Sequence, residues 1–166
     1  MPRKLNLTNL VVVLMSLLLG AIAPVDLLVS AAEKCQAFEA VGGNGTTQTK
    51  TVTPPSVPFV PFVPFVSFSN NWNTDFAVPG GRTFKQYLVT IKPESNVTYS
   101  IELNLKYSNN TFDQFYKQTT DIKAGETLKI SATPRSSSEP YQVNALIGGV
   151  ENATGTTYQL TVYGCN

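Results

Sequence analysis

The sequence predicts an all-β fold, an antiparallel β-sandwich with either a jelly-roll or an immunoglobulin-like Greek-key topology. Two observations lead to this prediction. Strand-like segments recur at spacings of about 8–15 residues, and clusters of Gly, Pro, Asn and Ser separate them. Over the same part of the chain, residues 76–166, no segment has the apolar periodicity of a helix.

The segment Val97–Lys106 shows the period of a strand most clearly. Apolar and polar residues alternate along it without a break. A period of two places the apolar side chains on a buried face and the polar ones on a face toward solvent, as in a half-buried antiparallel strand. The inward set is Val97, Tyr99, Ile101, Leu103 and Leu105.

Further strands are predicted on both sides of this segment, at residues 83–91, 112–120, 128–132, 141–147 and 158–165. The flanks add one or two more, for seven or eight strands in all. Residues 33–41 are compatible with a short helix or a first strand. Residues 42–50 are predicted as a flexible Gly/Thr loop and residues 67–75 as a polar turn.

The N-terminal residues 1–32 predict a secretory signal helix. Two basic residues precede an apolar segment, residues 10–23, and small residues then suit cleavage near Ala32. The alternative is an uncleaved membrane anchor, against which the acidic Asp26 counts. We therefore expect a secreted, periplasmic or cell-surface protein that contacts a membrane only if the signal stays attached.

The charge balance argues against a nucleic-acid partner. The chain has 12 Lys+Arg and 11 Asp+Glu. Without Arg3, Lys4 and Asp26 of the signal region, 10 of each remain, so the mature chain is neutral. The sequence also has no basic stripe for phosphate contacts.

The two cysteines, Cys35 and Cys165, lie near the two ends of the mature chain. In an exported protein such a pair predicts a disulfide. The bond would bring the N-terminal segment beside the final strand.

The residue content excludes most catalytic and metal chemistry. The chain has no histidine, which removes Ser-His-Asp and Cys-His catalysis and ordinary zinc sites. We find no nucleophile elbow, phosphate-binding loop or calcium loop, and we predict no catalytic residue, metal or cofactor. A carboxylate pair of the glycosidase kind is left open by the sequence.

A Val-Pro-Phe repeat, residues 57–66, is the most unusual stretch. Its prolines favour polyproline II geometry, with Phe59, Phe62 and Phe65 on one stripe. We interpret it as an extended strap within an N-terminal segment, residues 33–75, that forms one domain with the 76–166 core. The stripe either packs on its own domain or binds a partner, a second copy or an envelope or surface protein.

The single tryptophan, Trp72, gives a second hypothesis. It lies among Asn70, Asn71, Asn73 and Asp75. An aromatic ring surrounded by amides suits a sugar, whose apolar face stacks on the ring while its hydroxyls meet the amides. The leading hypothesis is an exported, non-catalytic structural or interaction protein, and the alternative is a carbohydrate-binding module.

Four tripeptides match the N-glycosylation acceptor pattern. They begin at Asn44, Asn96, Asn109 and Asn152, and each falls in a predicted turn. Whether a transferase uses them depends on the host that exports the chain.

Overall fold

A computed structural model describes residues 34–56, 70–149 and 151–166, which belong to one compact unit, Glu33–Asn166. These residues form strands and no helix, which confirms the predicted fold class. The strands are β1 (Cys35–Ala37), β2 (Thr47–Thr51), β3 (Asn73–Ala77), β4 (Gln86–Pro93), β5 (Val97–Lys106), β6 (Phe112–Ile122), β7 (Leu128–Ala132), β8 (Gln142–Gly148) and β9 (Thr157–Cys165).

The strands form two antiparallel sheets. In the five-stranded sheet, β1 and β2 lie end to end along β9, which is followed by β4 and β7. The four-stranded sheet has the order β3-β8-β5-β6. Strands β2 to β9 in this order make the two interleaved Greek keys of a jelly roll, which decides between the two predicted topologies.

The core forms where the alternating strands of both sheets face each other. The predicted inward set of β5 is buried, with Tyr99 and Leu103 fully enclosed. Tyr99 meets Tyr158 of the other sheet edge-on, with ring centroids 5.3 Å apart. These contacts fix how the two sheets lie against each other, and with them the outward direction of each polar side chain.

Two strands lie where the sequence predicts irregular structure. Thr47–Thr51 pairs with β9, although residues 42–50 are predicted as a flexible loop. Asn73–Ala77 pairs with β8, although residues 67–75 are predicted as a polar turn. Both predictions are wrong at these residues. Each strand lies at a sheet edge and contributes little apolar surface, so its sequence lacks the apolar alternation of a strand. In β3, only Phe76 is fully buried.

The predicted disulfide between Cys35 and Cys165 is confirmed. The two residues are direct partners in the β1–β9 register, with their Cα atoms 4.1 Å apart and 130 positions between them in the sequence. The bond ties the two ends of the domain together at one edge of the five-stranded sheet.

The outer edge of β3 is covered by the segment 39–41. Val41 N donates to Asp75 O at 2.8 Å, and Ala77 N donates to Glu39 O at 2.9 Å. Covering an edge in this way blocks pairing with a foreign strand. On the opposite edge, β6 carries a bulge at Phe115, because Leu103 pairs with Tyr116 while Asn104 pairs with Gln114.

Two sequence-based predictions lie outside the described residues. These are the signal segment, residues 1–32, and the Val-Pro-Phe repeat with Phe59, Phe62 and Phe65. In the described ranges no helix has the length and apolar character needed to cross a membrane.

Candidate functional site: the outer face of the four-stranded sheet

The four-stranded sheet presents a row of polar side chains on its outer face. Because β5 buries its odd-numbered residues, the even-numbered Asn104 points outward. The register places Asn104 opposite Asn144 of β8 and Gln114 of β6, and Asn144 opposite Asp75 of β3. These four residues, here called the amide row, cross all four strands, a distance of about 14 Å at the usual strand spacing.

The strongest hydrogen bonds of the amide row lie at its Asp75 end. Asn144 Nδ2 donates to Asp75 Oδ1 at 2.7 Å and to Asn73 Oδ1 at 2.5 Å. Lys106 Nζ adds an ion pair to Asp75 Oδ1 at 3.1 Å. The Asp75 carboxylate is therefore held in one position at the end of the row.

The surroundings of Asp75 keep it ionised. Burial raises the pKa of its carboxyl, but hydrogen bonds from Asn144 and Lys106, together with the Lys106 charge, outweigh burial. The net result is a pKa below the ordinary value of an aspartate. Asp75 thus acts as a hydrogen-bond acceptor at neutral pH.

Asn104, at the centre of the row, is poorly satisfied. Its Nδ2 makes two long bonds, 3.3 Å to Asn144 Oδ1 and 3.4 Å to Glu102 Oε1. Its Oδ1 is buried and has no hydrogen-bond partner within the described part of the chain. If the amide were flipped, its oxygen would face Asn144 Oδ1 and Glu102 Oε1, which are also acceptors. The carbonyl oxygen of Asn104 is therefore the atom without a hydrogen bond among the described residues. A buried acceptor without a donor costs about 1–3 kcal/mol.

The charges beside the row are balanced. Glu102 pairs with Lys117 at 3.0 Å, and hydrogen bonding from Lys117 lowers the pKa of Glu102. With Asp75 paired to Lys106, each carboxylate near the row has a cation on the same face. The face is thus polar without a strong net charge.

An exposed aromatic ring lies at one end of this face. Phe112 is the partner of Lys106 in the β5–β6 register and so points outward, two positions before Gln114. It is 60% exposed, an unusual state for a large apolar side chain on a strand. The face therefore combines a ring with amides and a carboxylate.

Trp72, the predicted sugar-stacking residue, lies at an end of the sandwich, before β3. Its Nε1 donates to Thr53 O at 2.9 Å, and its ring lies over Gly148, where a Cβ would come within 2.2 Å of the indole. The amide of neighbouring Asn71 donates to Thr51 O at 2.7 Å and accepts from Thr53 N at 3.0 Å. The ring is half-buried. Most of the hydrogen-bonding groups beside it already have partners within the chain. A role of Trp72 in sugar binding therefore stays a prediction.

An open depression of about 750 Å³ lies at the loop end of the sandwich, among the β4–β5, β6–β7 and β8–β9 connections. Two carboxylates line it, and both have partners: Asp121 accepts from Thr98 Oγ1 at 2.6 Å, and Glu126 accepts from Lys123 N at 3.2 Å. Across residues 34–56, 70–149 and 151–166, no group of three or more His, Cys, Asp or Glu side chains could hold a metal ion.

Sequence reasoning missed the amide row and Phe112. The alternation of β5 does mark Asn104 as outward-facing, but alternation gives no sign that Asn144 and Asp75 lie beside it. Phe112 could have been noticed as an aromatic residue immediately after a turn, at the start of an edge strand.

No protein-family model and no curated protein matches this chain. Among solved structures it is similar to a variant of CBM29-2, prepared to study ligand recognition by family 29 carbohydrate-binding modules. The TM-score is 0.40 and the identity 8%, over 80% of this chain and 92% of that chain. It is also similar to the CBM22-1 xylan-binding domain of Paenibacillus barcinonensis Xyn10C, with a TM-score of 0.33 and 11% identity over 79% and 85% of the two chains. The jelly-roll topology itself rests on the strand order of the present chain.

Proposed function

We propose that this protein is an exported, non-catalytic carbohydrate-binding module and that the outer face of the four-stranded sheet holds the glycan. The observation that carries the proposal is the amide row, with its unsatisfied acceptor at Asn104 and the exposed ring of Phe112 at its end. Export is supported by the Cys35–Cys165 disulfide, since such bonds persist in oxidising compartments.

A sugar matches the groups on this face. It has hydroxyls that both donate and accept, and an apolar ring face. Phe112 offers a surface for the apolar face, and Gln114 and Lys106 offer donors. Asp75 offers an acceptor, and Asn104 Oδ1 offers a second one once the groups that bury it move aside.

The balanced charges favour a neutral glycan. Lys106 and Lys117 are each paired with a carboxylate on the same face. A strongly anionic glycan would have to compete with Asp75 and Glu102 for these cations, at an electrostatic cost. We therefore expect neutral polysaccharides to bind better than uronic acid or sulfated chains.

The test is binding to a glycan array, followed by titration calorimetry of the best neutral ligand with Phe112→Ala. We expect the affinity to fall about tenfold, because losing a ring that is covered by the ligand costs about 1.4 kcal/mol or more. Tyr141→Ala is the matched control, since Tyr141 is 51% exposed and lies outside the amide row. Full affinity in Phe112→Ala, or no ligand on the array, contradicts the proposal.

Trp72→Phe separates this site from the one predicted at the tryptophan. The substitution keeps an aromatic ring over Gly148 but removes the indole ring and its bond to Thr53. Affinity lost in Trp72→Phe and retained in Phe112→Ala would move the site to Trp72.

A second candidate function is assembly with another copy or with an envelope or surface protein through the Val-Pro-Phe repeat. Its support is the composition of the repeat, since residues 57–66 consist of Val, Pro and Phe alone. Replacing Phe59, Phe62 and Phe65 by Ser is expected to lower the mass measured by light scattering. A parent protein that is already monomeric rules out self-association.

A further inference from the structure

The turn between β5 and β6 carries one of the four acceptor tripeptides, Asn109-Asn110-Thr111. Tyr107 N donates to Thr111 O at 2.9 Å, and Asn110 N donates to Tyr107 O at 3.1 Å. Asn110 has φ 61°, a left-handed conformation that asparagine tolerates better than most residues. The tight turn presents Asn109 as an exposed side chain at one end of the sandwich.

The amide of Asn109 is held in one orientation by its own tripeptide. Thr111 Oγ1 donates to Asn109 Oδ1 at 2.6 Å, and Thr111 N donates to the same oxygen at 3.2 Å. Because the amide oxygen of Asn109 faces Thr111 within the turn, its Nδ2 points away from the turn. Nδ2 is the atom that receives the sugar in N-glycosylation.

Arg135 sets the direction of the Thr111 hydroxyl. Its Nη1 donates to Thr111 Oγ1 at 2.8 Å, and a guanidinium can only donate. The hydroxyl proton of Thr111 is therefore left for Asn109. Arg135 is itself held by two bonds to Asp113 and by the face of the Tyr107 ring, 4.2 Å from its Cζ.

In two of the other acceptor tripeptides the threonine hydroxyl bonds a residue outside the tripeptide. The hydroxyl of Thr98, which belongs to the Asn96 tripeptide, donates to Asp121 at 2.6 Å. The amide oxygen of Asn96 instead accepts from Ala124 N at 2.9 Å. In the Asn152 tripeptide, Thr154 Oγ1 donates to Gly149 O at 3.3 Å. The Thr111 hydroxyl thus lies on the asparagine of its own tripeptide, whereas the hydroxyls of Thr98 and Thr154 bond Asp121 and Gly149.

We propose that Asn109 is an N-glycosylation site, and that it is the preferred acceptor of the four in the folded chain. The co-substrate is an oligosaccharide carried on a lipid phosphate. Nδ2 forms a bond to the anomeric carbon, the bond from that carbon to the phosphate oxygen breaks, the lipid phosphate leaves with the electron pair, and Nδ2 gives up one proton. This inference does not depend on sugar binding by the sheet.

The experiment uses the folded, disulfide-bonded chain made in a host without N-glycosylation. The chain is incubated with an oligosaccharyltransferase and a lipid-linked oligosaccharide, and occupancy at each asparagine is measured by peptide mass spectrometry. We expect Asn109 to have the highest occupancy of the four. Absence of transfer to Asn109, or earlier transfer to Asn44, Asn96 or Asn152, overturns the proposal.

Three variants test the geometry. Thr111→Val removes the hydroxyl and is expected to abolish modification of Asn109, whereas Thr111→Ser keeps the hydroxyl and keeps modification. Arg135→Gln is expected to at least halve occupancy at Asn109 while leaving Asn96 unchanged, which a general loss of folding would not do. Equal occupancy at Asn109 with and without Arg135 contradicts the positioning role.

Discussion

The outer faces of the two sheets satisfy their polar groups in different ways. On the five-stranded sheet, threonines face one another across β2 and β9, with hydroxyl oxygens 2.9 Å apart for Thr47 and Thr161 and 2.8 Å apart for Thr51 and Thr157. On the four-stranded sheet, Asn104 Oδ1 of the amide row receives no hydrogen bond from any residue that the structure describes.

The difference follows from the chemistry of the two groups. A hydroxyl both donates and accepts, so two facing threonines complete a bond whichever donates. An amide has fixed donor and acceptor ends, and a row of amides matches only if every neighbour is oriented correctly. The facing threonines thus satisfy each other, whereas the amide row keeps one acceptor without a partner in the described part of the chain.

The largest expected effect on stability comes from removing the disulfide at the edge of the five-stranded sheet. Replacing both Cys35 and Cys165 by Ala should lower the free energy of unfolding by about 2–5 kcal/mol, because the bond closes a very long loop. Urea denaturation measures this change. The four-stranded sheet contains neither cysteine, so glycan affinity below the unfolding transition should stay as in the parent. A double variant as stable as the parent contradicts the assigned role of the bond.

Asp75 is expected to make the amide row sensitive to acid. Because its folded-state pKa is lowered, its stabilising contribution is fully present above the ordinary aspartate pKa of about 3.9. The contribution is lost as the pH falls through the lower, folded-state pKa. Asp75→Asn should cost about 1–3 kcal/mol at neutral pH and should flatten this acid limb. Urea midpoints measured across the acid range for both proteins check it, and parallel pH profiles would refute it.

Thr161→Val tests whether the outer face of the five-stranded sheet serves stability alone. Thr161 is 7% exposed, and valine keeps its shape while removing the hydroxyl that meets Thr47. We expect a loss of about 1 kcal/mol, the usual net value of one hydrogen bond, with unchanged glycan affinity. A loss of affinity would mean that this face also contacts the ligand.

Asn104→Val is the matched substitution on the other face and should change stability least. It removes a buried, unpaired carbonyl oxygen but also the two long bonds that Asn104 Nδ2 donates to Asn144 and Glu102, so the effects nearly cancel, to within about 1 kcal/mol. Glycan affinity should nevertheless fall. Thermal unfolding measures stability and calorimetry measures glycan affinity, both on the same samples. Unchanged affinity would show that Asn104 is not part of the glycan site.

The residues of the site show how far sequence patterns reach. Asn104 is marked as outward-facing by the alternation of β5, a property of neighbouring residues along the chain. Its contact with Asn144 joins positions 40 apart, and Asn144 in turn bonds Asp75, 69 positions away. Phe112 points outward because of its register with Lys106. Arg135 reaches Thr111 across 24 positions. Such pairings depend on strand register, which alternation within one strand leaves open.

The fold class and the disulfide were predictable from local sequence patterns. Period-two alternation is local, and only two cysteines are present to pair. The other features depend on how the strands pair in the folded sandwich. This pairing selected the jelly-roll order, drew Thr47–Thr51 and Asn73–Ala77 into the sheets as edge strands, and brought the amide row together. The physical reason is that a sheet is held by hydrogen bonds between strands distant in sequence, so the partners of each strand, and the side chains beside it, are set only when the whole sandwich has formed.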